Sequence, residues 1–354
     1  MTNQIKPGAN PCRKPVPPPV SKPVKRPLLL TKLFIILIME TITLSTNAQS
    51  TQTTATPRQM VDALHAAFGQ HANTRAVHAK GIILEGDFAP AADAKNLTIA
   101  SHLQGKTLPV TFRFSDFTGI PDISDMNGGS NPRGLAVKFH LPDGTSTDIV
   151  GHSFNGFPTA TTDQFRTLLL AISKSGPDAA KPTALDTFLA HHPIAKTFLT
   201  TQKPPSVSYG TLSYFGVNAF KFTNAEGKTQ FIRYQFIPES GEQFLTAEQL
   251  KSAGPNYLSE EIKERIAKGN IKFLFYAQAA EEGDKIDDPS IAWPDSRKRI
   301  LLGVLTIKKL APNTVQDDKQ LTFNPGNLPD GIEPADAMII DRKKAYPVSV
   351  EERQ

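Results

Sequence analysis

From residue 81 onward the hydrophobicity of this chain keeps a period of two, and that pattern constrains its fold more than any other feature. Ile82–Leu84, Leu108–Phe114, Gly134–Leu141, Asp148–Val150, Leu212–Phe222, Thr229–Phe236, Lys272–Ala277 and Ile300–Ile307 all have strand length and strand patterning. Turn signals lie at Gly86, at Pro142-Asp143-Gly144 and at Asn224-Ala225-Glu226-Gly227. Helical spacing is confined to short stretches near 57–69, 163–174, 184–191, 246–268 and 335–344, the last ending before Pro347. The regular strand–helix–strand alternation of a doubly wound sheet is absent. The expectation is an α+β fold: one antiparallel eight-stranded β-barrel, connected mostly as a meander, with helices around it.

The N-terminus is of another kind. Residues 1–32 carry seven basic residues, no acid and eight of the 29 prolines, a composition that forms neither helix nor sheet interior. An apolar run, Leu33–Met39, follows and fades into small residues before Ala48. A basic region, a short apolar core and a small-residue cut site describe an export signal, and the run is too short to span a bilayer as a free helix. The expected organisation is a signal peptide or disordered basic leader over 1–48, a Thr/Gln linker over 49–57 and a single domain over 58–354. Cleavage after Ala48 leaves 306 residues with 32 bases and 33 acids, so the +5 of the whole chain belongs to the leader. That argues against a nucleic-acid partner and for a periplasmic protein without stable membrane association. Cys12, the single cysteine, leaves with the leader, which excludes disulfides, thiolate nucleophiles and iron–sulfur sites from the domain.

All eight histidines lie before residue 193, without HExxH or paired cysteines, and there is no P-loop, GxGxxG or G-x-S-x-G. Asp122 and Asp125 lack the spacing of a cation loop and read as a turn.

Three groups of segments carry a resemblance. Thr74-Arg75-Ala76-Val77-His78-Ala79-Lys80-Gly81 is followed in order by Phe112-Arg113-Phe114-Ser115, Asn131–Phe139 and Asp148-Ile149-Val150-Gly151. Near the other end, Phe323–Leu328 and Gly331-Ile332-Glu333-Pro334 lead to Arg342-Lys343-Lys344-Ala345-Tyr346-Pro347. This series resembles the distal and proximal motifs of haem catalases over residues 70–353. Typical catalases continue for a hundred residues or more beyond the tyrosine, whereas eight residues follow Tyr346 here. The chain therefore looks like the short branch of catalase-related peroxidases, a catalase-like barrel that binds haem b.

The resemblance implies roles that the residue chemistry supports. Tyr346 matches the axial iron ligand. A phenol ordinarily ionises near pH 10, so something must favour its anion, and Arg342, four residues earlier on a helix, shares its face. His78 matches the distal acid–base group, which must take a proton from one peroxide oxygen and return it to the other. Ser115 resembles the residue that bonds that histidine. Val77 matches a residue that narrows the distal pocket, and Phe157 is either a wall at the haem edge or a plain core residue. Two haem propionates want guanidinium partners, and Arg75, Arg113 and Arg353 stand at the matching positions.

One departure bears on activity. Where catalases have an asparagine after the aspartate strand, this chain has His152; Asn155 replaces it only if the loop shifts. Loss of the amide weakens steering of a second peroxide, so the oxidised enzyme lasts long enough to take electrons from an organic donor. The expected function is a haem peroxidase acting on hydrogen peroxide or a small organic hydroperoxide with an unidentified organic electron donor, with weak catalase turnover, as a homodimer. Two alternatives stay open: an enzyme of the same fold that rearranges a fatty acid hydroperoxide, and a haem-binding protein without turnover.

Overall fold

A computed structural model describes residues 55–312 and 318–353. The expected leader over 1–48 and all but the last residues of the linker lie outside the described residues.

Eight strands close into the expected barrel: β1 Gly81–Pro90, β2 Leu108–Ser115, β3 Gly134–His140, β4 Ser146–His152, β5 Tyr214–Thr223, β6 Thr229–Pro238, β7 Ile271–Ala279 and β8 Arg299–Leu310. Each neighbouring pair is antiparallel, in the order β4-β3-β2-β1-β8-β7-β6-β5. The ring closes between β4 and β5 through one register pair, His152 opposite Phe215. A short ninth strand, β9 Ile332–Pro334, pairs with β5 outside the ring. It was not foreseen, because three residues are too few to show a period.

The period-two pattern decides what fills the barrel. Phe112 and Phe114 of β2 join Phe88, Phe139, Tyr234, Phe236, Phe273 and Phe275 in one core cluster, every one of them at most 2% exposed. Phe236 stacks on Phe275 with ring centroids 4.8 Å apart, and Phe114 on Tyr209 at 5.3 Å. Each such ring contributes roughly 1.5–3 kcal/mol through burial. The opposite phase of the same strand, Arg113 and Ser115, faces a cavity outside the barrel core.

Seven helices are described: α1 Pro57–Phe68, α2 Thr162–Ser173, α3 Ala184–His191, α4 Pro193–Thr200, α5 Ala247–Ser252, α6 Tyr257–Lys268 and α7 Ala337–Glu351. Thr56, Thr161, Thr183 and Thr246 cap the N-termini of α1, α2, α3 and α5, each accepting from a backbone N–H three residues on.

The helix α4 was not foreseen, and three further details differ from the sequence reading. Gly86 marks a bulge inside β1 and not a turn. A side chain there would stand 1.9 Å from the Thr306 carbonyl oxygen of β8, so only glycine lets the strands approach. The helix expected over 246–268 is two helices, because Pro255 disfavours helical geometry at Gly254 before it. The last helix does not stop before Pro347 but runs through it to Glu351. The carbonyl of Lys343, which a proline at 347 cannot serve, accepts instead from Asn324 Nδ2 at 3.2 Å.

Candidate active site

The residues singled out in the sequence come from five places in the fold and meet in one cavity. Arg75, Val77 and His78 precede β1; Arg113 and Ser115 end β2; Phe157 follows β4; Arg342 and Tyr346 belong to α7, and Arg353 follows it. All nine line the same cavity, together with His152.

His78 is held in an uncommon backbone conformation, with φ +57°. Its N–H donates to the Phe117 carbonyl at 3.1 Å, and the next N–H, of Ala79, donates to Thr118 at 2.9 Å. These bonds lash the 74–80 loop to the segment just past β2. Ser115 Oγ then lies 3.0 Å from His78 Nδ1. Glycine in the neighbouring strand makes room for the pair. Gly134 stands opposite both Ser115 and His152 in register, and a Cβ on it would come within 2.5 Å of Ser115 Oγ and 2.8 Å of His78 Nδ1. Burial, reinforced by the charge of Arg113, pushes the imidazole of His78 down to about 3, so it is neutral at physiological pH.

A buried ionic cluster fixes the ends of β2 and β3 beneath the histidine. Asp116, next after Ser115, accepts from Arg133, the residue before Gly134, and from Tyr209 Oη at 2.8 Å. Lys80 Nζ bridges to the Pro255 carbonyl at 2.9 Å and pairs with Asp125. Burial pushes the Asp116 carboxyl up to about 6, against the pull of Arg133. Asp125 also accepts from the Leu258 N–H at 2.8 Å, so this residue is a structural anchor, in line with the turn expected around it.

On α7, Arg342 Nη2 donates to Tyr346 Oη at 2.8 Å, and its Nη1 donates to Asn218 Oδ1 at 2.8 Å. Asn218 Nδ2 in turn donates to Asp336 Oδ2 at 2.7 Å. The four-residue spacing thus does what the sequence implied. Asn218 and Asp336, which orient the guanidinium, were missed. The available signal was an asparagine in an otherwise apolar strand and an aspartate at a helix N-cap, where it also accepts from Met338 N–H.

The three remaining arginines gather around one carboxylate. Arg75 and Arg113 both bond Asp318, at 3.2 Å from Arg75 Nη2 to Oδ1 and 3.0 Å from Arg113 Nη2 to Oδ2. Arg353 donates to the carbonyls of Lys319 at 3.0 Å and Leu321 at 2.9 Å. Burial would raise the Asp318 carboxyl, but Arg113 and Arg75 overcome it and hold it below its usual range. One carboxylate against three cations leaves an excess of positive charge. Burial and the neighbouring Arg113 accordingly bring the Arg75 guanidinium down to about 9, and its Nε is buried without a partner among the described residues. Nothing in the sequence pointed to Asp318.

This donor set fits a flat apolar group with two carboxylates. Apolar walls come from Val77, Phe117, Val150, Phe157, Phe165, Phe215 and Val217, the small residues Gly134 and Ala136 leave space between them, and cationic donors stand at one edge. Among the described residues no cluster of three or more His, Cys, Asp or Glu could hold a free metal ion. An iron already held by a macrocycle would need one protein ligand, and Tyr346 is suited to that.

Comparison with known proteins agrees with the geometry. The sequence profile of the catalase family matches residues 40–354. The chain is 35% identical over 304 residues to a catalase-related peroxidase of Mycolicibacterium paratuberculosis, covering 84% of this chain and 95% of that one. It is 32% identical over 306 residues to a catalase-related peroxidase of Synechococcus elongatus, covering 85% and 89%. A solved bacterial catalase superposes with a TM-score of 0.71 at 22% identity, over 80% of this chain and 58% of its own, a likeness of fold.

Proposed function

The chain belongs to the catalase-related peroxidases of the catalase family, and from that premise we propose that it is a haem-dependent peroxidase, reducing hydrogen peroxide and small organic hydroperoxides with electrons from an organic donor. The single observation that carries this reading is the meeting of a His78–Ser115 pair, an Arg342–Tyr346 pair and three arginines in one cavity. Haem, when bound, supplies the redox-active iron.

Tyr346 Oη would be the protein ligand to the haem iron, with Arg342 donating a hydrogen bond to that oxygen. Arg75, Arg113 and Arg353 would hold the propionates, with Asp318 sharing Arg75 and Arg113. His78 moves the proton. Its neutral ring would take a proton from one peroxide oxygen at Nε2 and return it to the other, while Ser115 steadies Nδ1. Val77 and Phe157 exclude water and set the width of the approach. His152 and not Asn155 lines the cavity, which supports the expectation of weak dismutation. Residues 1–48 direct export to the periplasm; the N-terminal sequence of the protein recovered from that compartment tests this.

The decisive experiment is the absorption spectrum of the purified protein before and after peroxide. A high-spin ferric spectrum that changes with peroxide, and is lost in Tyr346→Phe, is the expected result. A protein that takes up no haem would overturn the reading, and fast dismutation of hydrogen peroxide without a donor would overturn the peroxidase assignment.

A further inference from the structure

His152 ends β4 at the barrel seam and is only 8% exposed. Its ring has one hydrogen bond: Nδ1 accepts from the Phe154 N–H, at 3.4 Å. The other nitrogen, Nε2, is buried with no partner among the described residues, in a side chain that lines the cavity. Aromatic rings of Phe157 and Phe198 lie beside it, at 6.3 and 5.9 Å between centroids, and neither can pair with that nitrogen.

The Phe154 N–H, 3.4 Å away, assigns the tautomer. A backbone N–H can only donate, so Nδ1 carries the lone pair. Burial keeps the ring neutral, and a neutral imidazole with a bare Nδ1 has its proton on Nε2. The side chain therefore presents an N–H donor to the cavity and no acceptor. Most buried donors in folded proteins are paired with protein or water, and this one, unlike the unpaired ring of His102, faces a cavity in which an acceptor can bind.

His78 lies across Gly134 from this group. Gly134 is in register with His152, and its missing side chain would have touched His78. His78 spends Nδ1 on Ser115, which leaves its Nε2 as the second nitrogen turned to the cavity.

We propose that His152 is a second ligand-contacting residue of this site, a donor-only group that hydrogen-bonds an acceptor atom bound opposite His78. The chemistry it selects is a small anion or the oxygen of a hydroperoxide. A carboxamide at this place would offer both a donor and an acceptor and so could orient an incoming O–H; an Nε2–H cannot. The proposal rests on the haem reading above and sharpens it, since it separates binding of the first peroxide from orientation of a second.

Fluoride, an acceptor with no proton to give, is the probe, titrated into the haem-loaded protein and followed by absorption. Replacing the donor in His152→Phe should raise the fluoride Kd at least tenfold, and His152→Asn, which restores an N–H, should stay within threefold of the parent. Equal affinity in parent and His152→Phe, or an Asn variant as weak as the Phe variant, would overturn the proposal. Should His152→Phe fail to load haem, His152→Leu is read in its place by the same criterion. A parent protein with no Soret band sinks the haem reading instead, and a normal band with unchanged fluoride binding sinks only the role of His152.

Discussion

Gly134→Ala is the sharpest test of the distal geometry, because the added methyl has a computable destination. It would stand 2.5 Å from Ser115 Oγ and 2.8 Å from His78 Nδ1. To recover an ordinary 3.4 Å contact the hydroxyl must retreat by about 0.9 Å and the ring by about 0.6 Å, and the lashing of the 74–80 loop opposes both. A catalytic group misplaced by about 1 Å loses about 10²-fold in rate, or about 2.7 kcal/mol of transition-state stabilisation. Overpacking adds a stability cost of about 1–3 kcal/mol. The assay is stopped-flow reaction of the haem-loaded variant with hydrogen peroxide, at haem content matched by the Soret band. Gly128→Ala, where nothing lies within 4 Å of the added carbon, is the control and should react like the parent. A folded, haem-loaded Gly134→Ala protein reacting within threefold of the parent would refute the reasoning that His78 is the proton carrier and that Gly134 makes its place.

His102 is 1% exposed, bonded through neither ring nitrogen, and pushed down to about 3 by burial. Its unfolded counterpart titrates near 6.5, so between those values the unfolded chain binds the extra proton and stability falls as pH drops. His102→Phe should flatten this slope by about 1.4 kcal/mol per pH unit, read from denaturant midpoints between pH 6 and 4; an unchanged slope counts against it. Arg133→Met takes from the Asp116 carboxylate the nearer of its two cations, leaving Lys80 at 3.9 Å, and should cost about 3 kcal/mol in urea unfolding, while a loss below about 1 kcal/mol would show the pair to be expendable. Asn324→Leu strips the Lys343 carbonyl of its donor at Pro347 and the Gly326 N–H of its acceptor, and should cost about 1–2 kcal/mol, a fall of about 2–3 °C in Tm. An unmoved Tm would mean that water serves that carbonyl equally well.

Strand periodicity was legible because alternation is repeated eight times and the aromatic phase is pure; β2 read Phe-Arg-Phe-Ser, core and site in turn. The pairing of Arg342 with Tyr346 was legible because a helix turns four residues into neighbours. What stayed hidden depends on contacts distant in sequence. Asp318 is 205 residues from Arg113 and has no pattern around it. The persistence of α7 through Pro347 rests on Asn324, which lies outside the helix and 19 residues before the carbonyl it serves. Gly86 had the right identity for a turn, and only the approach of β8 shows it to be a bulge.

The barrel closes on a single register pair, and one member of that pair, His152, faces the cavity. Every other neighbouring pair in the ring is held by six or more registered positions, so the β4–β5 junction is where the ring parts at least cost. Parting that junction would displace a residue of the cavity wall. A ligand bound to His152 as proposed would act as a clasp on the barrel, and its occupancy would then be read in slower amide exchange of Phe215 and Gly216, residues on the strand across the seam.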